Sequence, residues 1–431
     1  MAEAEVLYGR GTLRFELPEG ARVTVVHKRT APNLSDPVGA VERTLDQATN
    51  DSAPLSELAA GRKSACIVVC DITRPVPNHL FLRPIVERLV AAGIELEAIT
   101  ILVATGLHRV GDEAELAELI GDPWVVDHVA VRWHDARDPR QLVDLGRTPT
   151  RHTPVVLNRA LVEADLRIVT GLVEPHFMAG WSGGRKVVAP GVAGHETIRT
   201  FHSARFMEDP AAIQCNLDRN PLHEEQLEIV RQLGEVYAVN TVIDEDRDLL
   251  DVTFGEVVAS HLASVAFVED LARVALPRRY STVVTSSAGY PLDKTYYQTI
   301  KAMVTPLGIL AEGGTLIIAS QCSEGIGSPE FRSAQRRLVT DGADGFLASI
   351  MDKPLADVDE WQTEMQLKAM RAGTVQLHTT GLSEQERADT GVQLVDSVTD
   401  AIAEAIERHG DAHVAIIPEG PYVVPVATTS R

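Results

Sequence analysis

The sequence is short of positive charge, nearly without cysteine, and free of long apolar runs. Its 40 Lys and Arg face 61 Asp and Glu, a formal charge of −21. So acidic a chain lacks the positive surface that sequence-independent binding of DNA or RNA requires. Against that background, basic residues gathered at one place stand out. The four cysteines, Cys66, Cys70, Cys215 and Cys322, show no CxxC pairing, and the first two lie in an apolar stretch. The expectation is reduced, mostly buried thiols and a cytoplasmic setting. No apolar segment approaches the ~18 residues of a membrane span, and the opening MAEAEVLYGRG has no apolar signal core. What is present is an ordinary soluble composition, 45% hydrophobic and 23% charged, spread over 431 residues. That length exceeds the size at which one core usually divides, so two domains are expected.

The hydrophobic pattern alternates strand with helix. VTVVH (23–27), ACIVVC (65–70), ITILVA (99–104), VAVRWH (129–134) and LRIVTGLV (166–173) read as strands. Helices are expected at 36–48, 78–92, 113–120, 194–207, 222–233 and 256–275. Such β-α-β alternation predicts α/β domains with mainly parallel, helix-covered sheets. Pro277-Arg278-Arg279 marks a boundary between a domain at 1–276 and a second at 277–431. The second domain restarts with STVVTSS (281–287), followed by a helix at 294–303, strand TLIIAS, a helix at 398–408 and strand AHVAIIP. The closing segment PEGPYVVPVATTSR is a candidate to fold back onto the first domain.

Three of the strands end in polar motifs: Asp71-Ile72-Thr73-Arg74-Pro75, Thr105-Gly106-Leu107-His108-Arg109, and EPHFMAGWSGGRK at 174–186. Parallel strands bring their C-terminal ends to one sheet edge, where α/β proteins bind ligands, so the motifs converge. Asp71 and Arg74 suit a carboxylate or phosphate; a structural ion pair is the plainer alternative. His108 beside a glycine turn suits proton transfer, or is a hydrogen-bonded loop histidine. Gly180-Trp181-Ser182-Gly183-Gly184 contains G-x-S-x-G, the nucleophile elbow of serine hydrolases. That elbow places its serine directly after a strand, whereas EPHFMA intervenes here, and the following Arg185-Lys186 is foreign to it. A loop presenting backbone amides and Lys186 to a phosphate-bearing group fits better. His176, His195, His202 and His223 lie close in sequence without a zinc signature. Gln298 and Lys301 share a helix face, and Trp361 reads as core.

Taken together, DITRP, TGLHR, EPHFMAGWSGGRK with His202 downstream, and GYPLDKTYYQTIK resemble the nickel-dependent lactate racemase family, whose members carry a nickel-pincer nucleotide. The matching pieces run in order from Asp71 to Lys301. The resemblance implies two α/β domains with the active site in the interdomain cleft. It implies that Lys186 tethers the cofactor covalently, that His202 completes the nickel coordination, and that His108 and His176 are the acid/base pair. Thr73, Thr105, Ser182, Gly183, Gly184 and Arg185 are its implied cofactor contacts. Asp71, Arg74, Tyr297, Gln298, Lys301 and Trp361 are its implied substrate-side groups. The reaction it implies inverts C2 of a 2-hydroxy acid by removal and return of hydride. Cofactor-synthesis proteins are the expected maturation partners, and neither nucleic acid nor membrane is expected. The alternatives are a different 2-hydroxy acid, a non-catalytic nucleotide- or metal-binding protein and, more distantly, a serine hydrolase.

Overall fold

The computed structural model describes residues 2–244 and 246–428. Its contacts divide the chain into two compact units: residues 31–201 with 216–269, and residues 1–30 with 202–215 and 270–431. In chain order the first is inserted into the second. They are called here the inserted unit and the terminal unit.

The inserted unit is built on strands β1 (Ala65–Cys70), β2 (Ile99–Ala104), β3 (Ala130–Trp133), β4 (Leu166–Leu172), β5 (Tyr237–Ile243) and β6 (Leu249–Glu256). Their spatial order is β6-β5-β4-β1-β2-β3. All neighbours run parallel except β6, which pairs antiparallel with β5. Cys66, Ile67, Val68 and Val69 are wholly buried, the continuous apolar run expected of a strand covered on both faces. Helix α1 (Asn78–Ala91) buries Phe81, Leu82, Ile85, Val86 and Leu89, a stripe at three- and four-residue spacing. Helix α2 (Glu113–Ile120) starts with a capping box between Asp112 and Glu115. Phe81 sits in the main cluster of this unit with no exposure. Phe81→Ala should therefore cost about 3–5 kcal/mol in urea unfolding; a loss below about 1 kcal/mol would show that this cluster does not set the stability.

The chain enters this sheet at its middle, adds β2 and β3 on one side, then crosses to β4 on the other. Strand order thus reverses between β1 and β4, and the motifs after β1, β2 and β4 lie at the carboxyl ends flanking that switch point.

The terminal unit repeats the plan. Its six-stranded sheet runs, in spatial order, Gln393–Leu394, Gly373–His378, Leu310–Ala319, Tyr280–Ser286, His413–Ile417 and Arg22–Val25, all parallel. Order reverses beside Tyr280–Ser286, the strand that leads into GYPLD and the helix bearing Gln298 and Lys301. The closing strand Val424–Ala427 pairs with Arg273–Leu276.

The helix expected over 194–207 is broken. It divides into His195–Phe201 and Ala204–Met207, and Ser203 between them is extended. His202 therefore sits in a turn, at the point where the chain passes into the terminal unit. Strand β6, the two-stranded hairpins at 3–16 and 142–158, and the helix Pro329–Met351 complete the described elements of note. Among the described residues no helix is long and apolar enough to cross a membrane.

Candidate active site

At the C-terminal end of β1, Asp71 is almost fully buried. Its Oδ2 meets His108 Nδ1 at 2.7 Å, and its Oδ1 accepts from Thr73 Oγ1 at 2.5 Å and from Thr73 N at 3.3 Å. Burial alone raises this carboxyl. Bonds from His108 and Thr73, with the charges of His108 and Arg74, outweigh burial and hold it below the ordinary carboxylate range. Asp71 is therefore ionised at neutral pH and orients an imidazole that is itself largely exposed.

Arg74 Nη1 donates to Glu174 Oε1 at 2.5 Å, and both side chains are partly exposed. Glu174 opens the EPH segment and was not singled out from the sequence. Its backbone is held by Ser182: Glu174 N donates to Ser182 Oγ at 3.0 Å, and Ser182 N donates to Glu174 O at 3.0 Å. Ser182 Oγ in turn donates to Leu172 O at 2.7 Å. Among the described residues no histidine is bonded to Ser182 Oγ, so the nucleophile–base pair of a hydrolase is absent. His261 meets the Ser182 carbonyl oxygen instead, at 2.8 Å. Ser182→Ala should leave one buried and one part-buried backbone group short of a partner and cost about 1–3 kcal/mol in thermal or urea unfolding. A variant as stable as the parent would refute this pinning role.

His176 forms a two-residue ladder with Gly180. Its Nδ1 accepts from Ala179 N at 3.2 Å and Met178 N at 3.5 Å, and its ring stacks on Phe177. Gly183 and Gly184 both have positive φ, +77° and +48°. A Cβ on Gly183 would stand 2.7 Å from Val173, and one on Gly184 would stand 2.8 Å from His261. The protein's own packing thus requires both glycines. Arg185 is 1% exposed. Its guanidinium donates to Ala179 O and lies 2.9 Å from His261 Nε2, and burial pushes it down to about 9. His261 is held well below its ordinary value, first by burial and then by the Arg185 charge. From Phe177 to Ala189 every residue is buried except Lys186, which is half-buried. Thr105 Oγ1 is bonded to His134 O at 2.6 Å, and the neighbouring Arg109 is committed to Glu115.

The remaining sequence-predicted residues belong to the terminal unit. His202, 7% exposed, lies against Trp361 with ring centroids 4.8 Å apart. The helix carrying Trp361 (Glu360–Ala372) also grips the rest of the 202–215 segment. Arg371 takes Glu208 in a two-pronged ion pair, and Lys368 donates to Ala212 O. Gln298 and Lys301 lie on the helix Tyr296–Val304. Gln298 Oε1 is buried and accepts no hydrogen bond from the described residues. The carbonyl of Tyr297 accepts from Gln362. The structure thus gathers Asp71, Thr73, Arg74, His108 and Glu174 into one network, with His176 and Lys186 on the loop that Ser182 pins. His202, Trp361, Tyr297, Gln298 and Lys301 form the terminal unit's share.

A fold of parallel sheets with polar motifs at their switch points, one holding a carboxylate-oriented imidazole, is that of an α/β enzyme. The chain belongs to the lactate racemase family, a family of isomerases: the model for the lactate racemase N-terminal domain matches residues 8–214, and that for the C-terminal domain matches 277–425. The lactate racemase of Lactiplantibacillus plantarum is 31% identical over 391 residues, covering 89% of this chain and 90% of that protein. The lactate racemase of Thermoanaerobacterium thermosaccharolyticum is 29% identical over 432 residues, covering 98% and 99%. The solved apoprotein of the latter matches with a TM-score of 0.90 at 27% identity, covering 98% of this chain and all of that one. A Thermotoga maritima protein, 19% identical with a TM-score of 0.68 over 91% of this chain and 99% of that one, shares the fold.

Proposed function

We propose that the chain racemises a 2-hydroxy acid, lactate or a close relative, using a nickel-pincer nucleotide attached at Lys186. The observation that carries this reading is the Asp71–His108 pair at the switch point, an imidazole with one nitrogen fixed by a buried carboxylate. Such a pair suits proton transfer at the exposed imidazole.

The residues present fit the cofactor. Among the described residues no three His, Cys, Asp or Glu gather to hold a metal; on this reading the cofactor would bring donors of its own and the imidazole of His202 would complete them. Between Phe177 and Ala189, Lys186 is the one residue that is not buried, as a covalent tether requires. Thr73, Thr105, Ser182, Gly183, Gly184 and Arg185 shape the loops around it. When bound, the group supplies a hydride acceptor and donor, needed because the Cα–H of a 2-hydroxy acid is too weakly acidic for an imidazole to remove as a proton.

The chain's own residues do the rest. Arg74, whose planar fork suits a carboxylate, binds and orients the substrate while Glu174 holds the guanidinium. His108 takes the hydroxyl proton, with Asp71 steadying the imidazolium that forms. His176 serves the oxygen from the second loop. Gln298, with its unused acceptor, Lys301, Tyr297 and Trp361 are the substrate-side candidates of the terminal unit. Cofactor-synthesis proteins are the maturation partners that this reading requires.

The test is to produce the chain together with those proteins, map any added mass by peptide sequencing, and follow the enantiomeric composition of L- and D-lactate. An adduct on Lys186 with interconversion supports the reading. Matured protein without an adduct at Lys186 sinks it.

A further inference from the structure

Beneath the loop of His108 lies a histidine that belongs to none of the polar motifs. His134 follows β3, is wholly buried, and has both ring nitrogens engaged. Its Nε2 lies 2.9 Å from the Ala193 carbonyl oxygen, which can only accept, so Nε2 carries the proton. Its Nδ1 lies 2.9 Å from Asn158 Nδ2 and accepts from it. The Asn158 amide is held that way round, because its Oδ1 accepts from Ala160 N and its Nδ2 also donates to Gln141 Oε1. The ring is therefore neutral, and burial holds it below the ordinary histidine range.

These bonds close a frame around two loops. Ala193 ends the turn 190–193 that follows the Lys186 helix, with its N–H on Pro190 O. Within that turn Gly191 donates to the Lys186 carbonyl at 3.1 Å and accepts from Gly106 N at 2.9 Å. A Cβ on Gly191 would collide with the Val187 carbonyl oxygen, so only glycine allows this approach. Gly106 belongs to the loop of His108, and its neighbour Thr105 donates its hydroxyl to the His134 carbonyl at 2.6 Å. His134 N donates to Val103 O at 3.1 Å, which fixes the residue to β2. His134 thus holds the His108 loop through its carbonyl and the turn after Lys186 through its ring. We infer that His134 is a positioning residue, which sets the register of the Lys186 segment against the loop of His108. This rests on the proposed racemase reading, in which proton transfer at His108 must be aligned with the group held at Lys186.

Two amides at this position separate positioning from stability. In His134→Gln the side chain can place an N–H near the Nε2 position and keep Ala193. In His134→Asn it reaches only the Nδ1 position and loses Ala193. In the full chain without cofactor, amide hydrogen exchange at Gly106 reads the frame. His134→Asn should speed that exchange by about tenfold or more, and His134→Gln should leave it within about threefold of the parent. Thr105→Val cuts the other arm with little change of shape and should also speed it, which decides the matter should His134→Asn fail to fold. In matured protein, His134→Asn should lower kcat by about 10²-fold, the scale of a small misplacement. Its KM for lactate should stay within about threefold, because Arg74 lies outside the frame. His134→Gln should recover most of the rate. Exchange at Gly106 unmoved by both His134→Asn and Thr105→Val overturns the inference. So do equal losses of kcat in His134→Gln and His134→Asn that follow their melting temperatures, since these mark a residue of stability alone. Failure of the matured parent to interconvert any hydroxy acid would refute the racemase reading itself, and the exchange data would still decide whether His134 holds the frame.

Discussion

Lys186→Ala, matured alongside the parent chain, should show no added mass and no racemisation above background, a loss of at least about 10⁶-fold, the low end of enzymatic rate enhancement. So large an effect is expected because, on the proposed reading, the protein would supply position and proton transfer while the tethered group would supply the chemistry. The substitution is mild for the fold. Lys186 lies in the short helix Arg185–Val188, where its backbone N–H is bonded to Gly183 O and its carbonyl accepts from Gly191 N. Alanine keeps both bonds, and the lost side chain is half-buried rather than core, so the melting temperature should move little. Lys186→Arg separates charge from attachment: a guanidinium keeps the positive charge but not the nucleophilic amine. It should be as inactive as the alanine variant. Racemase activity near the parent level in either variant would refute the tether.

Asp71→Asn should lower kcat by about 10²- to 10⁴-fold with little change in KM. The orientation of the new amide is settled by its neighbour. Thr73 donates to Oδ1 from both its hydroxyl and its backbone N–H, which fixes the amide oxygen there. The amide nitrogen then faces His108 Nδ1 as a donor and forces the imidazole into the tautomer with its proton on Nε2. The base is present, in place, and unable to accept. Thr73→Val keeps the backbone N–H that holds the amide oxygen, so adding it to Asp71→Asn should return none of the lost rate. An Asp71→Asn enzyme with parent kcat would show that the carboxylate has no part in holding the imidazole.

Much of the inserted unit was legible in the sequence because its central strands are short and mostly apolar. Ala65–Cys70 and Ile99–Ala104 agree with the expected bounds, since a strand covered on both faces has few polar positions to blur its ends. The convergence of the three motifs followed from parallel pairing alone. The network inside the motifs did not. Glu174 reads as one more acidic residue in an acidic chain, and only the spatial adjacency of β1 and β4 sets it against Arg74. The roles of Ser182, Gly183 and Gly184 were also hidden. Their partners Leu172, Asn240 and His261 come from separate parts of the chain, and spacing does not record who fills the room beside a glycine. The helix across His202 had the right composition for continuity, but the extended Ser203 divides it. Membership of Arg22–Val25 in the sheet of the terminal unit rests on a pairing with His413–Ile417 that no local pattern announces.

That last pairing has a consequence for how the protein comes into being. His27 and Glu419, bonded at 2.9 Å, are 392 positions apart. On a ribosome adding roughly 5–20 residues per second, the opening strand waits roughly 20–80 s for the strand that receives it. The inserted unit has all its strands long before then. Lys186 and the loop that frames it thus take shape on a nascent chain whose first segment is still unpartnered, exposed to chaperones and proteases until the far end is made.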